Sequence, residues 1–310
     1  MAQHIEPSTA AEWKRVGDTN EIATALTLTQ EWLEQVLKGE RVSCVVFGGS
    51  GMGKNYLVDA ALKKHAPKDK DGNVLFIDSK ANTPIKLLDA FHDAQRDREQ
   101  NNAKRKRVLP IVFNEARTQF STPAQLDIMK IATDTETSID KTWREYTWTV
   151  MVEDFDKNDE LVEKPVKHKG VSLACPIIAM TNMQLTELPG DSVDAVRSRC
   201  RPIEIPPDRY TAWEYVVWLA LTSDLLTWDN HQQPVPLKLR SEMIDWFTRN
   251  MMRLQQVSVR TMKNVMGTFL LAKPHLLQAE LSQMLAPKHL WKHGHPPQLQ
   301  DWGKLRRELT

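Results

Sequence analysis

The sequence predicts an α/β chain: a parallel sheet with helices on both faces, interrupted by a β-hairpin and followed by a smaller all-helical domain. Three observations carry this. Short apolar, β-rich runs alternate with amphipathic helical stretches over the first two-thirds of the chain, the pattern of a sheet buried on both faces. One segment, 141–171, breaks the alternation with two strand-like stretches around the polar turn DFDKND. After Pro207 the strand signals stop and only helical spacing remains.

The elements follow in order. Residues 1–18 read as an N-terminal extension. Residues 19–37 form an amphipathic helix with Ile22, Leu26, Trp32 and Leu37 among its apolar positions. RVSCVVF (41–47) is the first strand, followed by glycines and a helix over 56–64. NVLFIDS (73–79) is the second, and its helix opens at Thr83-Pro84, with Thr83 as N-cap and Pro84 in the first turn. RVLPIVF (107–113) is the third strand, and STPAQLDIMKIAT repeats the same helix start. The hairpin insertion at 141–171 precedes the fourth strand, ACPIIAM, and the short fifth, RPIEI. The predicted domains are therefore 19–207 for the sheet and 208–285 for the helical lid, with helices at 212–223, 240–252, 259–271 and 275–284. Residues 286–310 read as a basic, Pro-containing, mostly aperiodic tail.

Composition narrows the class. The 310 residues carry a net charge of +1, so any nucleic-acid contact must come from local patches. Cys44, Cys175 and Cys200 are scattered, and two sit in apolar strand runs, which predicts buried reduced thiols rather than disulfides or a metal site. The N-terminus lacks an apolar signal core and no apolar run approaches the ~20 residues needed to span a bilayer. A cytoplasmic protein without a membrane partner is expected. The ten tryptophans fall mostly in apolar patches at helical spacing, which predicts packing rather than cofactor binding.

The chemistry lies in GGSGMGKN. Gly48, Gly49, Ser50, Gly51, Met52, Gly53 and Lys54 follow a strand and open a helix, the context in which such a run encloses phosphate. Spaced glycines permit a tight loop whose N–H groups converge on phosphate oxygens. Lys54 would reach the β- and γ-phosphates, and the following helix adds its N-terminal partial charge. The next position, where a Ser or Thr hydroxyl ligates Mg²⁺, is Asn55, whose amide oxygen is a longer hard donor. The third strand ends at Asn114-Glu115, where an Asp-Glu pair would orient metal and water. Glu115 stands where the water-polarising carboxylate belongs, while Asn114 offers the metal a neutral oxygen. Asp78, in FIDS, is a rival for the acidic strand, but it comes directly after the loop helix, one unit too early.

With these residues the chain resembles the AAA+ P-loop ATPases over roughly 19–271. ACPIIAMTN ends in Thr181-Asn182, similar to the family's sensor 1, and Asn182 would bond the γ-phosphate or the attacking water. DAVRSRCRPIEI resembles the arginine-finger segment, and Ser198-Arg199-Cys200 is similar to the clamp-loader triplet. Arg199 would then serve the neighbouring subunit's nucleotide, with Arg197 as second candidate. VSVRTMKNVM resembles the sensor 2 helix, where Arg260 would contact phosphate from the lid, with Lys263 one turn along. The resemblance implies ATP and Mg²⁺ as cofactors and a homo-oligomer, ring or helical filament, with head-to-tail interfaces. The neutral replacements at Asn55 and Asn114 imply an ATPase of reduced turnover.

Family members with such a finger and a short lid include clamp loaders, helicase loaders and initiators, and compact ones with degenerate motifs resemble those of phages and mobile elements. The expected function is thus an ATP-dependent factor in DNA replication or recombination. Local support is the basic run Ala103–Arg107 and the tail residues Lys288, Lys292, Lys304, Arg306 and Arg307 beside Trp291 and Trp302. The alternative is an ATP-bound scaffold or protein-remodelling chaperone whose hairpin grips a protein partner, with no direct DNA contact. A small-molecule kinase would leave the sensor arrangement without a role.

Overall fold

Every residue of Ser43–Phe47, Ile111–Phe113 and Ile177–Thr181 is buried. Such unbroken runs suit strands covered on both faces, where no side chain has to meet water. The computed structural model describes residues 6–101, 109–134, 145–146, 149–155, 161–167, 171–172, 175–189, 192–227, 233–292 and 294–309. In chain order the elements are α1 (Ala10–Thr19), α2 (Glu21–Lys38), β1 (Ser43–Phe47), α3 (Lys54–His65), β2 (Ile77–Asp78), α4 (Pro84–Asn101), β3 (Ile111–Phe113), α5 (Arg117–Ser121) and α6 (Pro123–Ala132). Strands β4 (Glu145–Tyr146), β5 (Thr149–Phe155), β6 (Leu161–Lys167), β7 (Val171–Ser172) and β8 (Ile177–Thr181) come next, then α7 (Ser192–Cys200) and β9 (Ile203–Glu204). The chain closes with α8 (Arg209–Thr222), α9 (Leu237–Asn250), α10 (Val259–Leu271), α11 (Leu277–Ser282) and α12 (Trp302–Leu309).

Five strands form one sheet in the order β2-β3-β8-β1-β9, and each pairing is parallel. Alternate residues face opposite ways. Val45, Phe47, Ile111, Phe113, Ile177 and Ala179 join one core with Phe91 of α4, Phe120 of α5, Leu126 of α6 and Val196 of α7. On the other face Cys44 reaches the Thr29 carbonyl of α2. The predicted hairpin is present as antiparallel β5 and β6, with β4 and β7 paired beneath it. Among the described residues neither pair joins the main sheet.

The connections change direction inside the sheet. From β1 the chain crosses to β2 at one edge, whereas from β8 it crosses to β9 at the other. Adjacent strands whose crossovers leave in opposite directions open a crevice at their carboxyl ends, here between β1 and β8.

The chain divides into two compact units, one of Leu28–Gly48 and Asn55–Glu204, the other of Met1–Thr27, Gly49–Lys54 and Ile205–Thr310. The first holds the sheet. The core of the second corrects two sequence expectations. Residues 1–18 are not merely an extension: Thr9 and Glu12 form a capping box that starts α1, and Trp13 is fully buried. Nor is the last stretch an aperiodic tail, because α12 brings Trp302 and Leu305 into the same core. The Trp13 ring stands edge-on to Trp213 at 5.7 Å and to Trp302 at 6.0 Å. Each indole N–H is satisfied, on Gln300, Thr248 and Asp245 respectively, as burial of a polar tip requires. The three cysteines are buried and form no disulfide. Among the described residues no helix is long and apolar enough to cross a membrane.

Candidate phosphate-binding site

From the buried end of β1 the chain enters Gly48–Gly53 and turns into α3 at Lys54. Gly51 and Gly53 hold φ values of +76° and +100°, a region that residues with a Cβ rarely occupy. At Gly51 a side chain is excluded twice over, because a Cβ would stand 2.8 Å from Ser258 Oγ.

The oxygens of this loop are engaged one after another. Lys54 Nζ donates to Gly49 O at 2.6 Å, Gln256 Nε2 to Ser50 O at 2.5 Å, and the Arg260 N–H to Gly51 O at 3.2 Å. Ser50 Oγ also donates to Gln256 Oε1 at 3.1 Å. By contrast, the N–H groups of Gly49, Ser50, Gly51 and Gly53 donate no hydrogen bond of ordinary geometry among the described residues. A run of unengaged backbone donors beside a buried ammonium is a receptor for an anion. Lys54 is only 5% exposed, and burial, with the like charge of Arg260 second, brings its pKa down to about 8.

Three further sequence candidates lie at the carboxyl ends of the strands. Asn114 and Glu115 leave β3, and Thr181 and Asn182 close β8, which lies between β3 and β1. The Ala116 N–H donates to Met180 O at 2.8 Å, so the residues after β3 and at the end of β8 emerge side by side. Glu115 and Asn182 are exposed, while Asn114 is half-buried and its Oδ1 is a buried acceptor with no hydrogen-bond partner. Asn55, in the first turn of α3, is exposed. Among the described residues no group of three or more His, Cys, Asp or Glu is placed to hold a metal. The oxygens of Asn114 and Asn55 are nevertheless of the hard, neutral kind that Mg²⁺ accepts when phosphate supplies the charge.

The arginines fall elsewhere. Arg197 and Arg199 are exposed in the last turn of α7, and Arg197 pairs with Glu204 at 3.3 Å. A crossover helix starts at the carboxyl end of the sheet and finishes at its amino end, so α7 carries Arg199 away from the end where Gly48 leaves β1. Cys200 anchors that turn, its buried Sγ 2.7 Å from Thr133 Oγ1. Arg260 and Lys263 are exposed on α10, whose N-cap is Ser258.

Gly49–Lys54 and Arg260 thus share one compact unit, whereas Gly48, Asn55, Asn114, Glu115, Asn182 and Arg199 belong to the other. Two neighbours of the loop escaped the sequence reading. Ser258 was detectable as a helix N-cap, but no pattern singles out Gln256. In the basic tail, Arg306 donates to Ala220 O and to Thr227 Oγ1, and Trp291 donates to Ala286 O beneath Arg253. These are internal bonds, which removes Arg306, Trp291 and Trp302 from a nucleic-acid surface and leaves Lys288, Lys292, Lys304 and Arg307 exposed. The basic run at 103–107 lies outside the described residues. A comparison of the chain with models of protein families, with curated proteins and with solved structures finds no match.

Proposed function

We propose that this chain is an ATP-binding P-loop protein of the AAA+ kind that assembles head to tail and serves DNA replication or recombination. The observation that carries the reading is the loop after the central strand, where the N–H groups of Gly49, Ser50, Gly51 and Gly53 donate no hydrogen bond among the described residues, beside the buried Lys54. ATP·Mg²⁺ bound there would supply a phosphoryl group with its leaving group already activated. Lys54 and the loop amides neutralise phosphate charge, and Glu115 accepts the proton of the attacking water. Asn182, on the strand next to β1, holds that water or the terminal phosphate. Asn55 and Asn114 would hold the metal with two neutral oxygens, which makes turnover slow. Arg199, at the far end of α7, serves a neighbouring chain.

For DNA the support is the exposed Lys288, Lys292, Lys304 and Arg307, together with the basic run at 103–107. A protein-remodelling scaffold draws its own support from β5 and β6, which among the described residues pair with each other and not with the main sheet. A lone two-stranded hairpin is marginal in water and gains from a partner. Calorimetric titration with ATP, single-turnover hydrolysis and salt-dependent DNA binding test the proposal together. Micromolar ATP binding, slow hydrolysis that N55T with N114D accelerates, and ATP-dependent DNA binding are expected. Indifference to ATP at millimolar concentration overturns it, and oligomerisation without DNA binding favours the scaffold.

A further inference from the structure

We infer that Gln256 is a positioning residue for phosphate binding: it turns the Ser50–Gly51 peptide so that the Gly51 N–H faces the anion. The inference rests on the nucleotide-binding reading above and adds a residue to it that carries no charge and no motif. In a trans peptide the carbonyl and the following N–H point in opposite directions, and no cis peptide occurs among the described residues. Whatever seizes Ser50 O therefore also aims the Gly51 N–H.

Three successive peptides are held this way. Lys54 Nζ takes Gly49 O, Gln256 Nε2 takes Ser50 O, and the Arg260 N–H takes Gly51 O. The N–H groups of Ser50, Gly51 and Met52 are accordingly turned away from those three donors. Of the three donors, Lys54 is itself a phosphate ligand and the Arg260 N–H belongs to the backbone. Gln256 is the side chain whose hydrogen bonds, among the described residues, go to the loop.

Its amide suits that task. Nε2 donates to Ser50 O while Oε1 accepts from Ser50 Oγ, so both ends of the amide are used on one residue. Without it the peptide at a glycine is free to rotate, because Gly51 lacks the Cβ that would restrict it. A flipped peptide would present Ser50 O to the anion in place of an N–H, replacing an attraction with a repulsion. Ser258, packed where a Gly51 side chain would go, keeps the loop from relaxing outward.

The test compares Gln256→Ala, Gln256→Glu and Ser50→Ala by calorimetry with ATP and with inorganic tripolyphosphate, which has no base or sugar. Gln256→Glu keeps the acceptor for Ser50 Oγ but loses the donor to Ser50 O. With its added negative charge it should therefore weaken both ligands at least as much as Gln256→Ala does, on the order of tenfold. Ser50→Ala keeps the carbonyl and its donor and should change affinity by less than about threefold. Equal loss for ATP and tripolyphosphate, with melting temperatures near the wild type, separates positioning from general destabilisation. Affinity unchanged in both Gln256 variants overturns the inference, as does a Ser50→Ala loss equal to theirs. Should the Gln256 variants fail to fold, the amide resonance of Gly51 in the wild type decides, since it must shift when tripolyphosphate is added. A wild type that binds neither ligand sinks the nucleotide reading itself, a different result from a wild type that binds and variants that match it.

Discussion

Lys54 is costly to bury and is the residue the proposed function needs most. Its pKa falls from 10.5 to about 8, chiefly through burial. The displacement means that holding the ammonium in place at neutral pH costs on the order of 3 kcal/mol, since each unit is about 1.4 kcal/mol. The sign follows from proton counting. Between about pH 8 and 10.5 the unfolded chain keeps a proton that the folded chain has lost, so stability rises with pH across that window. Below it both forms are protonated and the full penalty stands. Phosphate reverses the balance, because an anion favours the charged lysine. ATP affinity should be flat below pH 8 and fall with rising pH above it, with proton uptake on binding. Titrations at pH 8.5 in buffers of different ionisation enthalpy measure that uptake. Lys54→Met should raise the melting temperature of the ligand-free protein and weaken ATP binding at least about a hundredfold. A variant that binds ATP normally would remove Lys54 from the site.

Among the elements, what the sequence shows well is whatever relies on local pattern. Strands β1, β3 and β8 are readable because unbroken β-branched and apolar runs have few other uses. Helix α4 starts at the predicted Pro84, with the Lys86 N–H on Thr83 Oγ1. Helix α10 spans the predicted 259–271. The predicted 73–79 strand, however, shrinks to Ile77–Asp78, because β2 is an edge strand with one pairing partner. Helices α1 and α12 are ten and eight residues long and too polar on average to stand out. Their evidence is tertiary: one tryptophan each, Trp13 and Trp302, meeting edge-on across nearly three hundred positions of sequence. The same limit hides Gln256, whose role depends on where Ser50 lies. Trp302→Ala should therefore cost about 3–5 kcal/mol, as large aromatic truncations in cores do. Chemical denaturation measures it. A loss under about 1 kcal/mol would return the terminal helix to the status of a tail.

At the scale of the whole molecule, the issue is whether one chain can complete its own site. Under the proposed function, the direction of α7 predicts that it does not. The loop opens at the carboxyl end of β1, while Arg199 sits in the last turn of a crossover helix that returns to the amino end of the sheet. Arg197 nearby is already paired with Glu204. On the proposed reading, an arginine at the amino end of the sheet would serve a nucleotide on another copy, through a head-to-tail contact that can repeat. The consequence is testable by mixing two inactive proteins. Lys54→Met subunits keep the arginine but lose the loop, and Arg199→Ala subunits keep the loop but lose the arginine. Each alone should hydrolyse ATP at least about a thousandfold more slowly than the wild type, the lower end of the usual worth of such an arginine. In an equal random mixture, about a quarter of the contacts join an intact loop to an intact arginine, so about a quarter of wild-type turnover should return. Arg199→Ala should meanwhile bind ATP as tightly as the wild type, because its own loop is untouched. If the mixture hydrolyses no faster than its components, the arginine acts within its own chain or not at all. The head-to-tail assembly then loses its chemical reason, whatever the protein's state of association.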